Sequence, residues 1–72
     1  MEKYLNLNGN SGVNSFEIFN NKISVRFNRT VKTYTYSYRK AGSLNVENMK
    51  VLAKAGRGLN TYINDYVKYL YD

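Results

Sequence analysis

Three tyrosines alternate with small hydroxyl residues across residues 32–38. A period of two is the period of a β-strand, so Tyr34, Tyr36 and Tyr38 leave one face of an extended segment and the hydroxyl residues leave the other. Rings that face outward would form an aromatic ladder, whereas rings that face inward would fill the core and need partners for their hydroxyls. The inward orientation is favoured, because the small hydroxyl residues would add little to a core. Tyr38, at the strand end, is expected to be partly exposed.

A β-hairpin is predicted just before this strand. Apolar and polar residues alternate on both sides of Asn20 and Asn21. Asparagine tolerates a positive φ, which a two-residue type I′ turn requires. Such a turn pairs Ile18 with Ile23 and Phe16 with Val25, and it places all of these side chains on one face.

The next turn, near residues 28–30, decides where the tyrosines point. An even loop length places Tyr34 and Tyr36 on the face of Ile23 and Val25, and an odd length places them beside the charged residues of the opposite face. The sequence leaves this parity open.

A first helix is predicted from Asn45 to the glycine at position 56. Asn45 has the side chain of an N-cap, and Leu44 with Met49 fits a hydrophobic staple. Glu47 suits the positive end of the helix, and Gly56 is the expected left-handed residue after its last turn.

A second helix is predicted from residue 59 to residue 71. Its apolar residues recur at helical spacing and form one stripe: Leu59, Tyr62, Ile63, Tyr66, Val67 and Leu70. The stripe is expected to be core, whereas Tyr69 and Tyr71 are expected to project from the surface or into a partner chain.

The elements together predict a small α+β domain. A three-stranded antiparallel sheet, with an optional fourth strand, precedes two helices that pack on one face. The predicted single domain covers residues 1–72, with 1–12 as an N-terminal arm or short strand, 13–38 as antiparallel strands and 45–71 as two helices.

Composition narrows the classes of function. The 72 residues contain no histidine and no cysteine, which removes imidazole bases, cysteine nucleophiles and thiolate zinc sites. We therefore expect no enzyme, no cofactor and no metal site.

No apolar run is long enough for a membrane span and no signal peptide is evident, which predicts a cytoplasmic protein without membrane contact. The formal net charge of +6 favours a polyanionic partner or serves solubility alone.

Three stretches resemble the KTSC domain, a small domain named for its occurrence at the C-terminus of some lysyl-tRNA synthetases and also found as a free-standing bacterial protein. They are Tyr-Thr-Tyr at 34–36, Ile-Ser-Val-Arg-Phe at 23–27, and Ala-Lys-Ala-Gly-Arg-Gly-Leu-Asn-Thr-Tyr-Ile at 53–63. The resemblance covers residues 10–63. This chain departs from the family pattern in having no proline before the first helix and in its longer second helix. The synthetase association implies RNA binding.

The nucleic-acid hypothesis assigns two kinds of contact. Phosphates would meet five basic residues: Arg26, Arg29, Arg39, Lys40 and Arg57. Tyr36 or Tyr38 would stack a base, and Asn60 would either cap the second helix, which is favoured, or contact a ligand.

The alternative is a protein-interaction module, such as a small adaptor or an inhibitor encoded by a phage or mobile element. It would bind an acidic protein partner, or another copy of itself through residues 59–71.

Overall fold

The computed structural model describes all 72 residues. Four strands come first: β1 Glu2–Lys3, β2 Val13–Phe19, β3 Lys22–Phe27 and β4 Thr33–Ser37. Three helices follow: α1 Tyr38–Ala41, α2 Ser43–Ala55 and α3 Leu59–Tyr62, the last continuing as a π-helical turn over Ile63–Val67. The α+β prediction is confirmed, with the arm supplying the fourth strand. None of the helices combines the length and apolarity needed to cross a bilayer.

The sheet is antiparallel throughout, in the order β1-β2-β3-β4. Phe16 lies opposite Val25 and Ile18 opposite Ile23, which confirms the predicted hairpin register. The predicted type I′ turn is wrong, because neither Asn20 nor Asn21 has a positive φ; the two-residue length of the loop and the alternation of apolar residues set which side chains share a face.

The loop after β3 turns the tyrosine strand inward. Tyr36 lies opposite Ile23 and Tyr34 opposite Val25, so both rings share the face of the buried strand residues. Tyr36 is only 1% exposed. The inward orientation is thus confirmed for these two tyrosines. Tyr38 is outside the strand, because Ser37 caps α1 by accepting a hydrogen bond from the backbone N–H of Lys40.

α2 begins earlier than predicted, and Asn45 is not its cap. The helix starts at Ser43 after Gly42, whose φ of 95° lets the chain turn directly from α1 into α2. Asn45 instead joins two elements: its Nδ2 donates to the Ala41 carbonyl at 2.9 Å, and its Oδ1 accepts from the Tyr62 hydroxyl at 2.7 Å. Leu44 is 75% exposed, so the predicted staple is wrong as well.

The second helix is regular for only one turn. Leu59, Ile63 and Val67 are buried at a spacing of four, because the π-helical turn adds one residue to the helical repeat. Tyr66 and Leu70 are exposed, and Tyr71 packs against β4, so the predictions for these three residues were wrong. The predicted continuation of the helix to residue 71 also fails, since the π-helical turn ends at Val67.

One core lies between the inner face of the sheet and the helices. Its largest fully buried side chains include Tyr36, Phe16 and Ile23 from the strands, and Met49 and Leu59 from the helices.

Candidate nucleic-acid interface

Tyr71 and Asp72 cover part of the free edge of β4, which is an edge strand of the sheet. The backbone N–H of Asp72 donates to the Thr35 carbonyl at 2.7 Å, and the Ser37 hydroxyl donates to the Asp72 carboxylate at 2.7 Å. These bonds place Tyr71, one residue earlier, beside the tyrosines of the strand. An edge strand left bare would expose unpaired backbone groups, so this contact also protects the sheet.

An aromatic cavity of about 350 Å³ opens where this segment, β4 and the π-helical turn meet. The Tyr34 and Tyr71 rings pack edge to face with centroids 4.8 Å apart, and Phe27 meets Tyr34 at 5.6 Å. Tyr36 packs against Tyr71 at 6.4 Å, at the buried end of the cavity. Thr30, Asn64 and Lys68 add polar groups to the lining.

The Tyr36 hydroxyl faces this cavity without a partner in the protein. No atom of the protein forms a hydrogen bond with this hydroxyl. Every side-chain polar atom that is closed off from solvent does have a hydrogen-bond partner, so the Tyr36 hydroxyl must be open to the cavity that Tyr36 lines. Burial, with the nearby Tyr34 and Tyr71 hydroxyls, raises the pKa of Tyr36 to about 12. The group is therefore a proton donor throughout the physiological pH range.

One cationic side chain lines the cavity and another lies over one of its rings. Lys68 lines it, and the Lys32 ammonium lies 5.1 Å from the centroid of the Tyr34 ring. Arg29 is exposed, with a φ of 65°, and directly precedes the lining residue Thr30. None of the three is in an ion pair, since the single ion pair of the protein joins Lys50 to Glu47 at 2.8 Å.

A second cationic depression lies at the other end of β4. It is lined by Ser37, Arg39, Lys40 and Asp72. Arg39 and Lys40 are exposed and have no ion-pair partner. The aromatic cavity, its three cations and this depression are joined by the consecutive residues Tyr71 and Asp72, and together we name them the β4-edge strip. β4 has five residues and is roughly 15 Å long, which sets the scale of the strip.

The structure places only some of the predicted site residues on this strip: Arg29, Tyr36, Arg39 and Lys40. Arg26 lies on the outer face of the sheet, where it donates to the Asn14 side chain at 2.7 Å and to Ser15 at 3.4 Å. The role predicted for Tyr36 needs correction, because a ring that is 1% exposed offers no outward face for stacking.

Tyr38 is held by α2 and not by the strip. Its hydroxyl donates to the Glu47 carboxylate, and the Lys50 ammonium lies 5.5 Å from its ring centroid. The hydrogen bond to Glu47 raises the pKa of Tyr38, and the bonds from Lys50 and Tyr38 lower the pKa of Glu47. This ring is therefore engaged within the protein.

Arg57 and Asn60 lie away from the strip, near the N-terminal arm. Asn60 lines a separate polar hollow with Asn6, Asn8 and Asn10. It does not cap α3, whose N-cap is Gly58 without a side-chain hydrogen bond, so the capping prediction is wrong. Arg57 is an exposed residue of the turn between α2 and α3.

Sequence reasoning missed Lys32, Lys68 and Tyr71. Lys32 borders the tyrosine strand and could have been found from that position alone. Tyr71 was hidden, because a regular helix over residues 59–71 would turn it away from the core. Lys68 depends on the same π-helical turn.

Alkaline pH should destabilise the protein through Tyr36. The unfolded tyrosine ionises near its ordinary pKa of 10, whereas the folded group resists ionisation until about pH 12. Stability contributed by the neutral hydroxyl is therefore complete below pH 10 and lost between about pH 10 and 12. We expect the urea midpoint of the wild type to fall more over this range than that of Tyr36→Phe, which shares every other titrating group. Equal falls would show that the Tyr36 hydroxyl is not desolvated.

Comparisons with protein-family models, with curated proteins and with solved structures find no match to this chain.

Proposed function

We propose that this protein is a non-catalytic module that binds single-stranded nucleic acid, preferentially RNA, along the β4-edge strip. The observation that supports this most strongly is an aromatic cavity with unpaired cations on both sides of it. Single-strand binders combine aromatic stacking platforms with a basic path for the backbone, and the strip offers both. The preference for RNA draws on the resemblance to the KTSC domain.

Cationic side chains of the strip contact phosphates, and its aromatic side chains contact bases. Lys32 and Lys68 each contact a phosphate at the cavity, and Arg39 and Lys40 each contact a phosphate at the far end of β4. Bases stack on the exposed parts of the rings at the cavity mouth. Ammonium and guanidinium groups without carboxylate partners lose no ion pair when they bind phosphate, so the strip is better suited to this role than Lys50.

The test is fluorescence anisotropy with a labelled single-stranded RNA of about 12 nucleotides. Two double variants remove cations from the strip: Lys32→Ala with Lys68→Ala, and Arg39→Ala with Lys40→Ala. Lys54→Ala with Arg57→Ala removes the same charge from exposed positions off the strip and is the matched control. The affinity is measured from about 50 to 200 mM salt.

Each strip variant should lower the slope of log K against log salt by about 1.4, since a single-strand phosphate contact contributes about 0.7. The control should keep the wild-type slope. Equal reductions in all three would show that the net charge acts without a defined site. An absence of binding at low salt would overturn the proposal.

A second candidate function is protein binding, and exposed apolar residues on the helices favour it. Leu44 is 75% exposed and Val51 is 67% exposed, and they lie about two turns apart on one face of α2. Tyr66 and Tyr69 are also exposed, which keeps self-association through residues 59–71 as a proposal. Light scattering tests self-association through this segment: a dimer that Tyr66→Lys converts to a monomer would support it, and a monomer at all concentrations would remove it.

A further inference from the structure

The Tyr36 hydroxyl is an unexplained feature of the core. Its ring fills the centre of the protein, a role that phenylalanine could perform with the same shape. The Tyr36 residue is only 1% exposed. Its hydroxyl has no hydrogen-bond partner in the protein and faces the aromatic cavity. No enclosed side-chain polar atom of the protein lacks a partner, so solvent reaches this hydroxyl through the cavity, and an acceptor atom of a ligand that displaces this water can take its hydrogen bond.

The chemical groups that line the cavity indicate which groups a ligand needs in order to bind there. The Lys68 ammonium can only donate hydrogen bonds, and the Tyr34, Tyr36 and Tyr71 hydroxyls have no hydrogen-bond partner in the protein. Hydroxyls and an ammonium that are free to donate suit a ligand rich in acceptor oxygens. The aromatic rings suit a flat ligand, and no carboxylate lines the cavity.

We propose that the aromatic cavity accepts one unpaired uracil of a bound RNA strand, with the Tyr36 hydroxyl donating to a carbonyl oxygen of the base. This inference rests on the proposed function and adds base selectivity to it. Uracil presents two carbonyl oxygens at its edge, whereas adenine accepts only through ring nitrogens, and its N1 and N7 lie beside an amino group that meets the donors of the lining unfavourably. Lys68, at the same cavity, contacts the adjoining phosphate.

Stacking alone would give the opposite preference. A purine has the larger ring system and stacks more strongly, so a cavity that acts only as an aromatic platform should prefer oligoadenylate. A preference for oligouridylate therefore requires hydrogen bonding within the cavity. The raised pKa of Tyr36 keeps its proton in place for that bond at any physiological pH.

The experiment compares labelled oligouridylate and oligoadenylate of equal length in binding to wild type, Tyr36→Phe and Tyr66→Phe. Tyr36→Phe removes only the hydroxyl, and circular dichroism checks that it folds. Tyr66→Phe removes an exposed tyrosine hydroxyl outside the cavity and is the matched control.

Wild type and Tyr66→Phe should bind oligouridylate about 5–10-fold more tightly than oligoadenylate, as one neutral hydrogen bond allows. Tyr36→Phe should lose that preference through weaker oligouridylate binding, with oligoadenylate binding unchanged. A wild type that binds both strands equally, or prefers adenine, overturns the inference while salt-dependent binding upholds the proposed function. A uridine preference that survives in Tyr36→Phe also overturns it. Failure to bind either strand overturns both.

Discussion

Tyr36→Ala is expected to lower the free energy of unfolding by about 3–5 kcal/mol, the usual cost of truncating a buried aromatic side chain to alanine. The ring is the largest fully buried side chain in the protein, opposite Ile23 in the sheet and against Tyr71. A 72-residue domain has a stability of only about 3–5 kcal/mol from its core. The variant should therefore be largely unfolded at 25 °C, as judged by circular dichroism in water and in urea.

Tyr36→Phe is the matched control for this truncation. It keeps the ring and removes a hydroxyl that has no protein partner, so its stability near neutral pH should equal that of the wild type to within about 1 kcal/mol. A Tyr36→Ala variant that unfolds with the wild-type urea midpoint would show that the ring is not part of the core.

Gly56→Ala is expected to lower the free energy of unfolding by about 2–3 kcal/mol. Gly56 ends α2 with a φ of 76°, where any other residue is strained by about 1 kcal/mol. An added Cβ would also lie 2.6 Å from the Cβ of Leu5, and the Gly56 carbonyl accepts a hydrogen bond from the Leu7 N–H at 2.7 Å. The arm must move away, and the contact between the arm and the turn after α2 is lost.

Gly9→Ala separates the two causes. Gly9 has a similar φ of 82°, but nothing lies within 4 Å of an added Cβ. It should lose only the backbone contribution of about 1 kcal/mol. Equal losses in the two variants, measured from urea unfolding curves, would contradict the packing of the arm against the turn after α2.

Local rules in the sequence were sufficient for the β2–β3 hairpin. The two-residue loop at Asn20 and Asn21 set the register of β2 and β3, because the loop length and the alternation of apolar residues agree there, although the loop is not a type I′ turn. The inward orientation of Tyr36 also followed, from the need of a small protein for core volume. The end of α2 at Gly56 was equally local.

The helices depended on tertiary contacts that the sequence pattern does not reveal. Asn45 has the chemistry of a cap, but its amide bridges Ala41 and Tyr62 once α1 and α3 are in place. The π-helical turn at Ile63–Val67 adds a residue to the helical repeat, so that Tyr66 within the turn faces outward and Tyr71 after it packs against β4. Such turns have no simple sequence signal, since they arise from packing along the whole helix.

Only part of the candidate site could be predicted from the sequence, because the rest also depends on tertiary contacts. Arg39 and Lys40 follow the tyrosine strand, and their place at its end could be predicted from that position. The cavity is formed by side chains from β3, β4 and the last residues of the chain, and it exists only because those residues return to the edge of β4. Arg26 was misjudged because its partners lie on the neighbouring strand.

The most direct test of the central claim is to map the binding surface by NMR, titrating the ¹⁵N-labelled protein with a short single-stranded RNA. Binding at the β4-edge strip predicts that the largest amide shift changes fall at residues 29–40 and 63–72. Residues 6–11 and 56–61, around the polar hollow and Arg57, should change little. Changes concentrated around that hollow, or on the exposed face of α2 at Leu44 and Val51, would contradict the placement of the site.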